Sequence, residues 1–397
     1  MSGTILVDKE PMSSRPGGLS HRLHRFLLRQ PHWVLTTAGL FLVAVLGVLD
    51  YATGPDLSFL IFYVGPVLLL VWFVGREAAL FAAVLAAAFW TFEDVLSAHA
   101  YASRAVAIWN VAVRLGFFVL FVRTVAQLKA ALERERLVRQ QQLEHEIEIA
   151  QAVQLRLFPQ AAPNAAGLDC QGLCRPVRGV AGDYYDFLRL PDGRLGIAVG
   201  DVSGKGISAA LLMASLQASL RGFATASRDG VGSVTREMNR QLFALTEPAR
   251  FATLFWGIYD ERRRAFTYAN AGQNPPFLLR AAFADTAGIG LACSEAERLR
   301  AGGVPLGAFA VSTYCEDTVG LAPGDLLAVF SDGITETADA AEEEFGEARL
   351  EGLLRRNAHR PAAELCRTVF DAVDAFRGSA SQEDDMTIVI ARVLPAR

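Results

Sequence analysis

Four apolar runs crowd into the first 122 residues: 33–50 (WVLTTAGLFLVAVLGVLD), 58–74 (SFLIFYVGPVLLLVWFV), 78–92 (AALFAAVLAAAFWTF) and 105–122 (AVAIWNVAVRLGFFVLFV). The first is uncharged until Asp50, the second and third carry no charge, and the fourth carries only Arg114. A helix needs about 20 mostly apolar residues to cross a bilayer, and three runs come close while the third needs its flanks. Backbone groups in lipid have no water to bond, so these runs predict helices. Their lack of a polar face argues against core helices of a soluble protein. Arg15, Arg22, Arg25 and Arg29 precede the first run, and Arg123, Lys129, Arg134 and Arg136 follow the fourth. The first turn is acidic (Asp50, Asp56) and the second contains Arg76. The positive-inside rule then places both termini in the cytoplasm, giving a multi-pass protein of the inner (cytoplasmic) membrane whose C-terminal two thirds is cytoplasmic. The first run is too long, and too weakly followed by a small-residue cleavage site, to read as a removed signal peptide.

Residues 1–30 are polar and contain Pro11, Pro16, Gly17 and Gly18, which predicts a disordered basic tail. Residues 31–124 form the expected four-helix transmembrane sensory domain. Arg114 is its odd residue, since a mid-helix Arg costs about 2.5–3.5 kcal/mol on insertion scales. Asn110 lies one turn earlier on the same face, and Pro66 frees a carbonyl at similar depth. Asn110 and Arg114 are therefore candidates for a sensory site, against the alternative of a snorkelling Arg.

Residues 123–158 contain no Gly or Pro and predict one long helix that ends at Pro159. The linker is assigned to 125–159. Leu143, Ile147, Ala150, Gln154 and Leu157 keep a helix-seam spacing, suited to coupling two protomers in a homodimer or to docking on the next domain. A solvated spacer is the alternative. His145-Glu146 could open a histidine-kinase phosphoacceptor box, but the Arg and Pro expected just after it are missing.

From Gly167 the pattern changes to period two. Leu195–Val202, Ala252–Asp260, Ala265–Ala271, Pro276–Arg280, Leu326–Phe330 and Met386–Val393 read as strands. Ser208–Arg221, Val234–Leu245, Glu347–Arg356 and Ala362–Ala375 read as helices, which makes 160–397 an α+β domain. The net charge of −4 gives no basic field for nucleic acid. The chain is 52% hydrophobic and 20% charged, which excludes a disordered, collagen-like or disulfide-stapled chain. Five scattered cysteines fit reduced thiols better than a zinc site.

Aspartates recur where strands meet Gly-rich turns: Asp183 in AGDYYD, Asp201 in GDVSGKG, Asp332 in SDGITET, and Asp384 and Asp385 before MTIVIARV. One such Asp is usually a turn residue or cap, but four sites in one domain suit hard divalent cations. The domain's lone histidine, His359, leaves Ser-His-Asp and zinc chemistry without their parts. GDVSGKG is not a P-loop, because its glycine spacing is short and Gly206 stands where Ser or Thr would follow Lys205. AGDYYDF lacks the Glu-Phe of a diguanylate cyclase signature.

Seven segments in order, EIEIAQAVQLRLFP, RPVRGVAGDYYDF, GDVSGKGISAALLMA, NAGQNPPFLL, GGVPLGAF, GDLLAVFSDGITE and EDDMTIVIARV, span residues 146–393. Together they resemble the protein phosphatase 2C-like metal-dependent Ser/Thr phosphatases, in the bacterial branch typified by stage II sporulation protein E (SpoIIE). The resemblance implies an α/β/β/α sandwich of two packed sheets flanked by helices, holding two Mn²⁺ or Mg²⁺ ions. It implies that Asp201 bridges the ions, that the Val202 carbonyl and Asp183, Asp332 and Asp384 complete the ligands, and that Asp201, Asp183 and Asp332 are catalytic. Asp186 and Asp385 stand as auxiliary positions, and Gly204 as a glycine that lets the backbone approach the site. The implied substrate is a phosphorylated protein, such as an anti-sigma-factor antagonist. Two positions depart from the pattern: Ala181 replaces a second Gly, and Gln273 replaces a His that is common in NAGHNPP. The rival reading is a catalytically inactive scaffold or receptor that uses the same fold to bind a partner.

Overall fold

The computed structural model describes residues 26–395 except 28, 54–59, 97–103, 162, 164–166, 178, 227–228, 248–249, 283–291 and 294–295. Most of the expected N-terminal tail and the turn residue Asp56 lie outside the described residues. The chain divides into two compact units, 1–142 and 143–397.

The first unit is helical. Helix α1 (His32–Thr53), α2 (Leu60–Phe73), α3 (Arg76–Leu96) and the start of α4 (Arg104–Leu157) occupy the four apolar runs. Small residues let the helices approach closely. A Cβ added to Gly39 would come within 2.8 Å of the Leu70 side chain, and one on Gly47 within 2.9 Å of Phe89. Ala79, Ala82, Ala83 and Ala86 form the buried stripe of α3. Large apolar side chains such as Phe41, Ile61, Phe81, Ile108 and Trp109 face outward. His32–Thr53 and the stretch Ile108–Leu157 are long and apolar enough to cross a membrane, whereas Ile61–Phe73 is apolar but shorter. Asn110 and Arg114 are half-buried, on the α4 face that continues to buried Phe118 and Val122. The fourth apolar run and the expected linker are thus one continuous helix of 54 residues.

The second unit is built on two antiparallel sheets. One orders β1 (Leu168–Arg175), β13 (Met386–Val393), β12 (Leu326–Phe330), β6 (Phe277–Leu279) and β9 (Glu297–Arg298). The other orders β10 (Gly302–Gly303), β5 (Ala265–Ala271), β4 (Ala252–Asp260), β3 (Leu195–Val202) and β2 (Tyr184–Arg189). Within it β10 runs parallel to β5, and β11 (Asp317–Gly320) also pairs with β5. A small ribbon joins β7 (Ala281–Ala282) to β8 (Ala292–Cys293).

Ile197, Val199, Phe255 and Tyr268 of one sheet meet Leu278, Leu327, Val329 and Val389 of the other in the central core. Trp256 and Ala198, on the outer face, pack under α5 (Ile207–Ala226) and α6 (Val231–Leu245). Phe277, Phe330 and Ile388 pack under α8 (Gly346–Asn357) and α9 (Ala362–Arg377). Central strands buried on both faces read as continuous apolar runs, and β12 and β13 are such strands. Helix α5 is apolar and long enough to cross a membrane by length and composition alone. Here it buries Ala209, Met213, Leu216 and Leu220 in the outer core instead.

Candidate metal centre

The expected carboxylates lie at or beside strand ends of the two sheets. Asp201 is the penultimate residue of β3, and Asp183 immediately precedes β2, the neighbouring strand. Asp332 opens the one-turn helix α7 (Asp332–Thr335) that follows β12, rather than ending the strand itself. Asp384 lies two residues before β13. The pairing of β12 with β13 brings the last two loops together.

The Asp183 and Asp201 carboxyls meet, and Asp201 also faces Asp332 and Asp384. Among the described residues, no three Asp, Glu, His or Cys side chains close into one tight cluster. Burial, then the Asp201 charge, raises the Asp183 carboxyl well above the carboxylate range. Burial, then Asp332, Asp384 and Asp385, pushes Asp201 up to about 6. Asp332 is raised by burial and by Asp384. Asp183 Oδ2 is buried without a hydrogen-bond partner. A buried orphan oxygen beside further carboxylates is a donor set for a hard cation.

Backbone geometry completes the site. A Cβ on Gly182 would lie 3.0 Å from the Val202 carbonyl oxygen and 3.3 Å from Asp201 Oδ1. Those two oxygens therefore sit on the same side of Gly182. A Cβ on Gly333 would meet the Asp385 carbonyl at 2.0 Å, so only glycine lets the 384–385 loop lie across the Asp332 turn. Gly204 has φ +103, a left-handed conformation that suits glycine.

The auxiliary positions separate. Asp385 is fully engaged elsewhere: Oδ1 accepts from the Val177 N–H at 2.8 Å and Oδ2 from the Gly182 N–H at 2.7 Å. It clasps the loop that presents Asp183. Asp186 does not join the centre. It is fully buried and takes a two-pronged ion pair from Arg221, Nε at 2.6 Å and Nη2 at 2.8 Å. Gln217 of α5 adds a third bond at 3.3 Å. Asp186 lies three positions after Asp183, and along a strand an odd spacing points side chains to opposite faces.

Three residues already named in the sequence were given no part in the site, and the structure gives them one. Lys205 donates to the Glu383 carbonyl at 2.6 Å and pairs with Asp384 Oδ2 at 3.0 Å, tying the turn after Asp201 to the Asp384 loop. Gln273 accepts from Thr253 Oγ1 on one sheet and donates to the Phe330 carbonyl on the other at 3.0 Å. Gln154 of α4 grips the Ala181 backbone through two bonds. A polar residue inside an otherwise apolar helix seam was the available signal for Gln154. A cleft of about 200 Å³ beside the centre is lined by Lys205, Gly333, Thr337 and Asp384 among others.

The family model described as Stage II sporulation protein E (SpoIIE) matches residues 191–394. Phosphoserine phosphatase RsbU of Bacillus subtilis is 30% identical over 261 residues, covering 64% of this chain and 71% of that protein. Protein IcfG of Synechocystis sp. is 28% identical over 271 residues, 62% of this chain but only 41% of IcfG. The solved SiaA PP2C domain of Pseudomonas aeruginosa has a TM-score of 0.55 at 23% identity, over 64% of this chain and 98% of that one. This likeness identifies the sandwich as the PP2C fold.

Proposed function

Because the chain belongs to the SpoIIE family and carries a PP2C-type phosphatase domain, we propose that it is a membrane-anchored, metal-dependent phosphoprotein phosphatase acting on phosphoserine or phosphothreonine. What supports this reading is the contact of the Asp183 and Asp201 carboxyls, the charges of Asp332 and Asp384 acting on Asp201, and a partnerless buried oxygen on Asp183. Asp201, with Asp183, Asp332 and Asp384 around it, would hold Mn²⁺ or Mg²⁺ ions, two in number on the family resemblance. The Val202 carbonyl, beside Asp201 Oδ1, is the neutral ligand of this set.

Divalent ions held here would supply Lewis acidity, activating water for in-line attack and neutralising the phosphoryl oxygens. The chain's own residues arrange that chemistry. Asp385 and Gly182 fix the loop that carries Asp183. Gly333 lets the Asp384 loop lie against the Asp332 turn. The Lys205 ammonium balances part of the site's negative charge and borders the cleft through which a phosphorylated side chain would enter.

RsbU is named a phosphoserine phosphatase. For this chain the proposed substrate is a phosphorylated switch protein of the anti-sigma-factor-antagonist type. Residues 31–124 are read as four membrane spans with the catalytic domain on the cytoplasmic side. Their outward apolar side chains support that reading. Asn110 and Arg114 are proposed as its sensory pair, residues 125–159 as the relay to the catalytic domain 160–397, and a homodimer as the working form.

The test is Mn²⁺-dependent release of phosphate from p-nitrophenyl phosphate and from a phosphoserine protein. The reading expects release by the wild type and loss of release in Asp201→Asn and Asp332→Asn. No release by the wild type would leave the scaffold reading instead.

A further inference from the structure

The pairing of the strand that carries Asp201 continues past it. Asp201 faces Thr253 across β3 and β4. Two residues further on, the Ser203 N–H donates to the Phe251 carbonyl at 2.9 Å, and the Phe251 N–H donates to Ser203 Oγ at 3.0 Å. Arg250, which precedes Phe251, therefore stands beside the turn that follows Asp201. A Cβ on Gly204 would lie 3.3 Å from Arg250 Nη1, and the same nitrogen donates to Ser208 Oγ at 3.4 Å. The neighbouring cation, Lys205, is engaged by the Glu383 carbonyl and by Asp384. Arg250 is different. The other half-buried arginines among the described residues of the second unit are Arg175, Arg280, Arg298, Arg377 and Arg392. Each of them pairs with a carboxylate. Arg250 is half-buried too, yet among the described residues no carboxylate pairs with it, and its guanidinium makes one long bond to a hydroxyl.

We propose that Arg250 is a substrate-binding residue whose guanidinium takes phosphoryl oxygens of the phosphate monoester brought to the Asp201 centre. This rests on the phosphatase reading. A guanidinium drawn partly out of water without a counter-charge is unfavourable until an anion completes it. Its planar fork matches phosphate through two parallel bonds, which an ammonium cannot supply. Of the two cations beside Gly204, Lys205 is paired with Asp384, so Arg250 is the one whose charge is open to an incoming dianion. The backbone that carries it is fixed. The Arg250 N–H donates to the Glu247 carbonyl at 3.1 Å, and the next residue is held by Ser203. Arg250 touches the turn and not the acidic side chains. Its loss is therefore felt in the affinity for phosphate and not in the affinity for metal.

Steady-state kinetics of the full chain in detergent with Mn²⁺ tests this, with p-nitrophenyl phosphate as substrate and inorganic phosphate as inhibitor. Arg250→Ala lowers kcat/KM and weakens inhibition by phosphate, each by about tenfold or more, as the loss of charge-assisted hydrogen bonds requires. Arg250→Lys keeps the charge without the fork and falls between wild type and Arg250→Ala. The Mn²⁺ concentration that gives half-maximal activity stays within about twofold in both variants, because no carboxylate loses a partner. Arg262→Ala removes the same charge from the turn at the far end of β4 and keeps both constants within about twofold. Inhibition of Arg250→Ala by phosphate at the wild-type level overturns the inference. So does a loss of Mn²⁺ affinity as large as the loss of phosphate affinity, which would make Arg250 a brace for the turn. Equal losses in Arg262→Ala would reduce the effect to net charge and overturn it as well. Wild type without Mn²⁺-dependent release would bring down the phosphatase reading itself. Active wild type beside an unaffected Arg250→Ala would bring down only the role given to Arg250.

Discussion

The two units of this chain use the same apolar alphabet in opposite ways. The N-terminal helices turn Phe41, Ile61, Ile108 and Trp109 outward and close on glycines and alanines. The catalytic sandwich hides Trp256, Phe255, Phe277 and Phe330 completely and sends its polar residues to loops at the sheet ends. The first arrangement is stable where the solvent is apolar, and the second where it is water. Buried polar groups differ accordingly. In the sandwich Asp186, Asp385, Gln154 and Gln273 each have named partners, and the centre concentrates the acidic groups whose pKa is raised. Functional sites are where such unfavourable arrangements are retained.

The comparison is broken most directly at the centre. Asp201→Asn or Asp332→Asn lowers phosphate release by about a thousandfold, measured with p-nitrophenyl phosphate, while far-ultraviolet dichroism stays native. Activity retained in both variants would reduce the acidic loops to ordinary turns.

Next is the ion pair of Asp186, a residue that the family resemblance set beside the centre. Arg221→Met strands the Asp186 carboxylate, which is fully buried, and costs about 3 kcal/mol, read as a lower denaturation midpoint. Mn²⁺ affinity stays at the wild-type value, because Asp186 serves α5 and not the metal. A parallel fall in Mn²⁺ affinity would return Asp186 to the centre.

Gln273→Leu removes the bridge between the sheets and leaves the Phe330 carbonyl unpaired, at a cost of about 2 kcal/mol. Thermal unfolding with and without Mn²⁺ measures it, and the loss is expected in both.

Acidity gives a smaller effect. The Asp201 carboxyl, pushed up to about 6 when folded, holds its proton more tightly there than in the unfolded chain, where it keeps the ordinary carboxylate value. Asp183 and Asp332 are shifted in the same direction. Stability without divalent ions is therefore present at low pH and lost as pH rises from about 4 through about 6. In chelator, the catalytic unit melts about 5 °C lower near pH 7.5 than near pH 5, and Mn²⁺ restores more of the loss at the higher pH. A flat profile would mean that the carboxylates do not interact.

The elements most legible in the sequence were those with one dominant signal. The strands Leu195–Val202, Ala252–Asp260, Ala265–Ala271, Leu326–Phe330 and Met386–Val393 stand at their expected bounds, because buried central strands are uninterrupted apolar runs. The edge strands were not named, β1 and β2 among them. In β1, Cys and Gly replace the usual β-branched residues, and β2 begins inside a motif that reads as a loop. The acidic loops were visible because aspartates at strand ends repeat. The difference between Asp183 and Asp186 was not, since only the register of β2 and the place of Arg221 on α5 decide which faces the centre. Gln154 and Ala181 are 27 residues apart, and only the tertiary fold joins them.

The central claim is that four aspartates from the ends of neighbouring strands form one dinuclear centre. The most direct measurement is the number of Mn²⁺ ions bound per chain by wild type and by Asp201→Asn at about neutral pH. The account predicts two ions on wild type, and one or none once the shared carboxylate is gone. Wild type that binds no divalent ion, or an Asp201→Asn variant that still binds two with unchanged affinity, would contradict it.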